Sequence, residues 1–191
     1  GNALNFDLKQ PYFLVTYHPV TLGEEPAERS FIELLNALNE FKEHRVVITY
    51  PNADDGGRRI IPIIEDYANQ NPDRICVIPS LGQKRYLSAV KNAAVVIGNS
   101  SSGIIEVPSF NVPTVDVGLR QKGRLAAKSV INCIATKPAI VKAIKSAIKG
   151  NYKAPGETII NPYGAGNASA QAIQMLKSLE FEPTKPFYDL K

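Results

Sequence analysis

The sequence holds no apolar run long enough to cross a bilayer, and its first residues lack the charged-then-apolar order of a secretory signal. No membrane partner is expected. Only two cysteines occur in 191 residues, Cys76 and Cys133, each inside an apolar run, RICVIP and INCIA. They read as reduced core residues of a cytoplasmic protein, not as a disulfide framework. With only two histidines besides, the chain offers no convincing metal-ligand spacing, and neither a metal nor a cofactor is expected. No basic tract alternates with aromatics, which leaves nucleic acid out. Neither the Walker phosphate loop nor the GxGxxG dinucleotide fingerprint is found.

What is there is an ordinary globular composition, 44% apolar and 21% charged, with enough chain for one domain and a sizeable core. The net charge of +4 suits an anionic ligand without requiring one. Apolar, β-rich runs recur at 12–17, 45–50, 74–79, 93–98, 112–118 and 129–135. Between them come helical patterns. Phe31, Leu34, Leu35, Leu38 and Phe41 share one face, and helices follow at about 61–69, 83–92, 137–149 and 168–180. Pro62 is placed in the first turn of its helix, and Ile173, Leu176 and Leu179 mark the last one. Strands that are apolar throughout are covered on both faces. Alternation with helices makes the sheet parallel, and the fold a doubly wound, Rossmann-like α/β domain.

Such sheets bind ligands beyond the carboxyl ends of their strands. The polar residues there are His18, Asn52 and Asp54, Ser80 and Gly82, a serine-rich loop, and Arg120. Polar residues must end any strand, which explains one or two of these more easily than all of them. His18 stands evenly between a structural and a functional role. His44, in the polar stretch EHR, reads as exposed, and Lys122 as a solvated charge.

The loop is the densest signal. GNSSSGIIEVPSF, residues 98–110, sets three serines between glycines, after a strand and before a short helix that stops near Pro108. One serine is accounted for as a helix cap. Three in succession, with free backbone N–H groups beside them, make an anion cradle suited to a diphosphate. Glu106, one turn on, either complements the helix end or accepts from a ribose diol. Arg120 can grip a phosphate bidentately.

HPVT (18–21), YPNAD (50–54), the serine loop, GLRQKGR (118–124) and NPYGAGNAS (161–169) occur in this order. Together they resemble the C-terminal half of the UDP-N-acetylglucosamine 2-epimerases, especially the hydrolysing branch that feeds sialic-acid-type sugars. The resemblance covers nearly the whole chain. It implies the second half of a GT-B fold, in which two Rossmann-like domains enclose a sugar nucleotide. Residues 1–180 would be the UDP-binding domain. Residues 181–191 would be a tail docking on the N-terminal domain of the same protein, with a second copy of the chain left open as a partner.

The implied reaction converts UDP-GlcNAc to N-acetylmannosamine and UDP by elimination and then hydration, with the acid and base carboxylates mainly in the other domain. The resemblance makes His18 the catalytic histidine. It places Asn52 near the nucleotide, Ser100 and Ser101 on the phosphates, Glu106 on the ribose and Arg120 beside the diphosphate. Two positions depart from the family pattern, Leu119 and Ala165, each where an Asp is common. A branch acting on a diacetamido trideoxy sugar nucleotide would look similar. A GT-B glycosyltransferase and a non-catalytic sugar-nucleotide module are the other readings.

Overall fold

β1, Tyr12–Thr16, is buried at every position, as a strand covered on both faces must be. A computed structural model describes residues 6–20, 27–52, 56–164 and 166–180. In it β1 lies within a six-stranded sheet with β2 (Arg45–Thr49), β3 (Ile75–Ile78), β4 (Val95–Gly98), β5 (Thr114–Val117) and β6 (Val130–Cys133). The order is β3-β2-β1-β4-β5-β6, and every pair is parallel. The doubly wound parallel sheet read from the sequence is borne out, each predicted strand falling within a residue or two of its place.

Alternate residues of β1 feed two cores. Phe13 and Val15 pack with α1 (Ala27–Leu38), α2 (Gly57–Asn69) and α5 (Lys137–Ile148), through Phe31, Leu34, Ile64 and Ile144 among others. Tyr12 and Leu14 pack on the other face with Val90 of α3 (Gly82–Asn92) and with Val107. Val107 opens a 3₁₀ turn, Val107–Phe110, that follows the one-turn α4 (Ser102–Ile105). Helix α1 is positioned by its i, i+3, i+4, i+7 stripe of Phe31, Leu34, Leu35 and Leu38, all buried. It is tied to α5 at the end of that helix: the Lys137 N–H donates to Glu33 Oε2 at 2.6 Å, and Lys137 Nζ meets Glu40 Oε1 at 2.6 Å. A carboxylate at a helix N-terminus takes up an N–H that the helix itself leaves unbonded.

Three expectations are corrected. Helix α2 starts at Gly57, a turn before the predicted start, so Pro62 lies in its interior. The residue is exposed there, where water can bond the carbonyl that its ring leaves without a donor. His44 is not a solvent-facing residue. Its ring stacks on Phe13 at 4.5 Å between centroids, with 12% of the side chain exposed. Helix α6 (Ala168–Ser178) forms as predicted but buries nothing: Ile173, Leu176 and Leu179 are each at least half exposed. Cys76 and Cys133 are free and half-buried, and burial together with the charge of Asp116 pushes the Cys133 thiol up to about 12. Asp54, Ala165 and the tail 181–191 lie outside the described residues.

At the end of β4, Gly98 has φ of +138°, and a methyl group on it would run into the Thr16 carbonyl oxygen of β1. Gly98→Ala therefore combines backbone strain with a backbone clash. It should cost more than about 3 kcal/mol of stability, seen as a lowered midpoint in thermal unfolding followed by circular dichroism. An unchanged midpoint would mean that β1 and β4 are not this close.

Candidate functional site

With strand order β3-β2-β1-β4-β5-β6, the chain leaves β1 and β4 toward opposite edges of the sheet and opens a crevice between their carboxyl ends. His18 stands at one lip and Asn99 at the other. Asn99 is 1% exposed. Its Oδ1 accepts from the His18 N–H at 2.7 Å, and its Nδ2 donates to the His18 carbonyl at 2.8 Å. One carboxamide thus satisfies both main-chain groups of His18, where the β1–β4 ladder has run out. The Asn99 carbonyl in turn accepts from Arg120 Nη1 at 3.1 Å and from Gln121 Nε2 at 2.7 Å, both on the loop after β5. The loop after β2 joins through Asn52, whose N–H donates to His18 Nδ1 at 3.0 Å. Four of the predicted strand tips are therefore hydrogen-bonded into one cluster that holds His18, Asn52 and Arg120.

The serine loop continues directly from Asn99. Helix α4 is a single turn, which limits it to local N–H groups with little summed dipole, a smaller contribution than the sequence suggested. Gly103 has no side chain because Thr114 occupies the space: a Cβ would stand 2.8 Å from Thr114 Cγ2, and the Thr114 hydroxyl donates to the Gly103 carbonyl. This presses α4 onto β5 and aligns the loop with the crevice. Ser101 is the N-cap residue but makes no side-chain cap bond, and Ser100 Oγ accepts only a long 3.4 Å bond from the Ser102 N–H. Among the described residues, the N–H groups of Ser100 and Ser101 have no acceptor. The serines are thus not consumed by capping.

The sequence places Glu106 one turn into a helix that runs to about Pro108; instead α4 stops at Ile105 and Glu106 is its C-cap, ahead of the 3₁₀ turn that holds Pro108. Glu106 lines a cavity of about 360 Å³ with Thr49, Tyr50, Ser80 and Tyr86. Tyr86 comes from α3 and was not singled out in the sequence, where nothing separates it from other helix-surface residues. Burial pushes its phenol above the usual range, the Ser102 and Thr16 hydroxyls pull it back, and the charge of Glu106 adds to the rise. Under this cavity Thr16 and Thr49 join β1 to β2 through their hydroxyls at 2.7 Å.

Beneath the loop, Asp116 of β5 sits beside Gly98 and is 3% exposed. Burial pushes its carboxyl up to about 6, against the pull of Arg120. Among the described residues, no group of three or more His, Cys, Asp or Glu is placed to hold a metal, and no helix is long and apolar enough to cross a membrane.

A family model described as UDP-N-acetylglucosamine 2-epimerase matches residues 2–177. The chain belongs to that family. Polysialic acid biosynthesis protein P7 of Escherichia coli is 34% identical over 187 residues, covering 96% of this chain and 47% of that protein. The GDP/UDP-N,N'-diacetylbacillosamine 2-epimerase (hydrolyzing) of Campylobacter jejuni is 38% identical over 130 residues, 68% of this chain and 34% of that protein. The structure of the Neisseria meningitidis UDP-GlcNAc 2-epimerase bound to UDP-GlcNAc aligns with a TM-score of 0.67 at 17% identity, over 93% of this chain and 47% of that one. The chain spans a third to a half of these epimerase-family relatives. The likeness in structure bears out the Rossmann-like, GT-B-type fold.

Asp116 allows a stability test. Its carboxyl ordinarily titrates near 3.8 and does so at about 6 in the folded chain, so folding favours the protonated form. Its contribution is fully present below pH 3.8 and is lost as pH rises through 6. Asp116→Asn should remove this pH dependence and raise stability at neutral pH by roughly 1–3 kcal/mol, read from unfolding midpoints of both proteins between acid and neutral pH. Parallel pH curves for the two would contradict the assignment.

Proposed function

We propose that this chain is the UDP-sugar-binding half of a hydrolysing UDP-N-acetylglucosamine 2-epimerase that acts in the cytoplasm. The observation that carries the reading is the convergence of His18, the serine loop and Arg120 on one crevice, beside a cavity that holds Glu106 and Tyr86. Donors concentrate where a diphosphate would lie: the Ser100 and Ser101 N–H and hydroxyl groups, the His18 ring and the Arg120 guanidinium. The neighbouring cavity has an aromatic wall for a base, a carboxylate for a ribose diol, and the volume of a small-ligand pocket. Asn52, whose N–H bonds the His18 ring, would meet the nucleotide from the loop after β2.

In the reaction the C1–O bond of UDP-GlcNAc breaks, UDP leaves with the bonding pair, and the C2 proton is lost to a base. Water then adds across the resulting double bond, its proton going to C2 and its hydroxyl to C1, to give N-acetylmannosamine. This chain's share is to stabilise the charge that develops on the departing diphosphate. The base and the acid come mainly from the N-terminal domain of the same protein, across the cleft. The burial of Asp116 under the loop, 3% exposed, fits that division. The exposed apolar residues of α6, Ile173, Met175 and Leu176, are a surface that such a domain would cover.

A related reading keeps the chemistry and changes the sugar to a diacetamido trideoxy one. The 38% identity to the Campylobacter jejuni enzyme favours it.

Calorimetric titration tests the nucleotide assignment. The 191-residue chain should bind UDP, and Glu106→Ala should weaken it by about tenfold. The wild-type chain should bind 2′-deoxy-UDP as weakly as the variant binds UDP, and the two losses should not add. No heat from the folded chain at millimolar UDP would remove the assignment. With the full-length protein, N-acetylmannosamine released from UDP-GlcNAc in the absence of any acceptor separates hydrolysing epimerisation from glycosyl transfer.

A further inference from the structure

His18 and Arg120 lie on loops that follow β1 and β5, and β4 separates those strands in the sheet. Asn99, at the end of β4, bonds to both. Its side chain closes a two-bond ring with the main chain of His18, and its carbonyl receives the Arg120 guanidinium and the Gln121 amide. The carboxamide is buried and committed: Oδ1 and Nδ2 each have a His18 partner, at 2.7 and 2.8 Å.

The ring of His18 is fixed in a second way. A main-chain N–H can only donate, so the Asn52 N–H at 3.0 Å requires a lone pair on His18 Nδ1. The neutral ring then carries its proton on Nε2. Adding a proton at Nδ1 would set two N–H groups against each other.

We infer that Asn99 is a positioning residue, which through its carboxamide holds His18 as an Nε2–H donor in register with Arg120. In this arrangement His18 is a hydrogen-bond donor to a phosphoryl or leaving oxygen. It is not the base that removes a carbon-bound proton, because the lone pair of its ring is already engaged by Asn52. Gln121, 4% exposed with its Oε1 unbonded, shares the same carbonyl and steadies the loop from which Arg120 projects. The assignment of a phosphate as the acceptor rests on the function proposed above, whereas the tautomer and the register rest on the hydrogen bonds alone.

The test pairs a binding cycle with spectroscopy on the 191-residue chain. UDP is titrated into wild type, Asn99→Ser, His18→Ala and the double variant, with thermal unfolding recorded for each. Asn99→Ser removes both bonds to His18 without adding charge, and UDP affinity should fall about tenfold. In the His18→Ala background the same substitution should cost less than about twofold, since the side chain it displaces is gone. Equal losses in both backgrounds would overturn the inference. In parallel, ¹⁵N spectra of the histidine rings should show His18 in wild type with Nε2 protonated and Nδ1 bare, and a mixture of tautomers in Asn99→Ser. A proton on Nδ1 in wild type, or a ring unchanged by the substitution, also overturns it. If wild type takes up no UDP, the nucleotide reading falls and the spectra alone decide this one. Should Asn99→Ser fail to fold, Asn99→Gln, which keeps the carboxamide but shifts it by one methylene, is read in the same way.

Discussion

Beyond the last rung between β1 and β4, two chain segments diverge, and the Asn99 carboxamide is what keeps their departures in step. A parallel ladder cannot supply these bonds, because Gly98 already adopts a conformation that turns the chain away from the sheet. The amide therefore acts as a substitute rung, giving one donor and one acceptor to the main chain of His18. Its burial makes the pairing strict, since a buried amide left without partners costs more than the net gain of a typical hydrogen bond. The Asn99 main chain extends the same constraint to the loop after β5. Remove this rung and His18 loses both side-chain bonds that tie its main chain to the end of β4.

Much of the fold was legible because its strands are apolar without alternation, a pattern that arises when both faces are covered. The strand tips followed from that, and with them His18, Asn52, the serines and Arg120. What the sequence could not give was pairing across the chain. Asn99 sits inside the quoted serine motif, yet nothing local says that its side chain faces His18 in place of solvent. Tyr86 reaches the cavity only because α3 packs where it does. His44 misled for the same reason: a polar neighbourhood in sequence conceals a ring stacked on Phe13. Helix α6 carries a proper apolar stripe, but periodicity tells which side would be buried and not against what.

The electrostatics of the crevice are layered. Uncommitted N–H groups and the half-buried Arg120 guanidinium lie at the tips, whereas Asp116 lies buried below them, its carboxyl pushed up to about 6 by burial. A carboxyl that titrates at about 6 is mostly ionised at neutral pH, and the Arg120 guanidinium offsets its charge beneath the loop. The Cys133 thiol, raised to about 12 by burial and by the charge of Asp116, stays neutral. The floor of the site thus gains its negative charge as pH rises through about 6.

The strand order also bears on how the chain reaches this state. Neighbours in the β3-β2-β1 half are joined by single helical crossovers, with Tyr12 beside Arg45 and Val46 beside Ile75. The seam between β1 and β4 places Phe13 beside Val95, so its closure must wait on a much longer loop of chain. Contacts of such separation slow folding. Closure of this seam, and with it the crevice, is therefore the step that loop entropy slows most among the sheet pairings described.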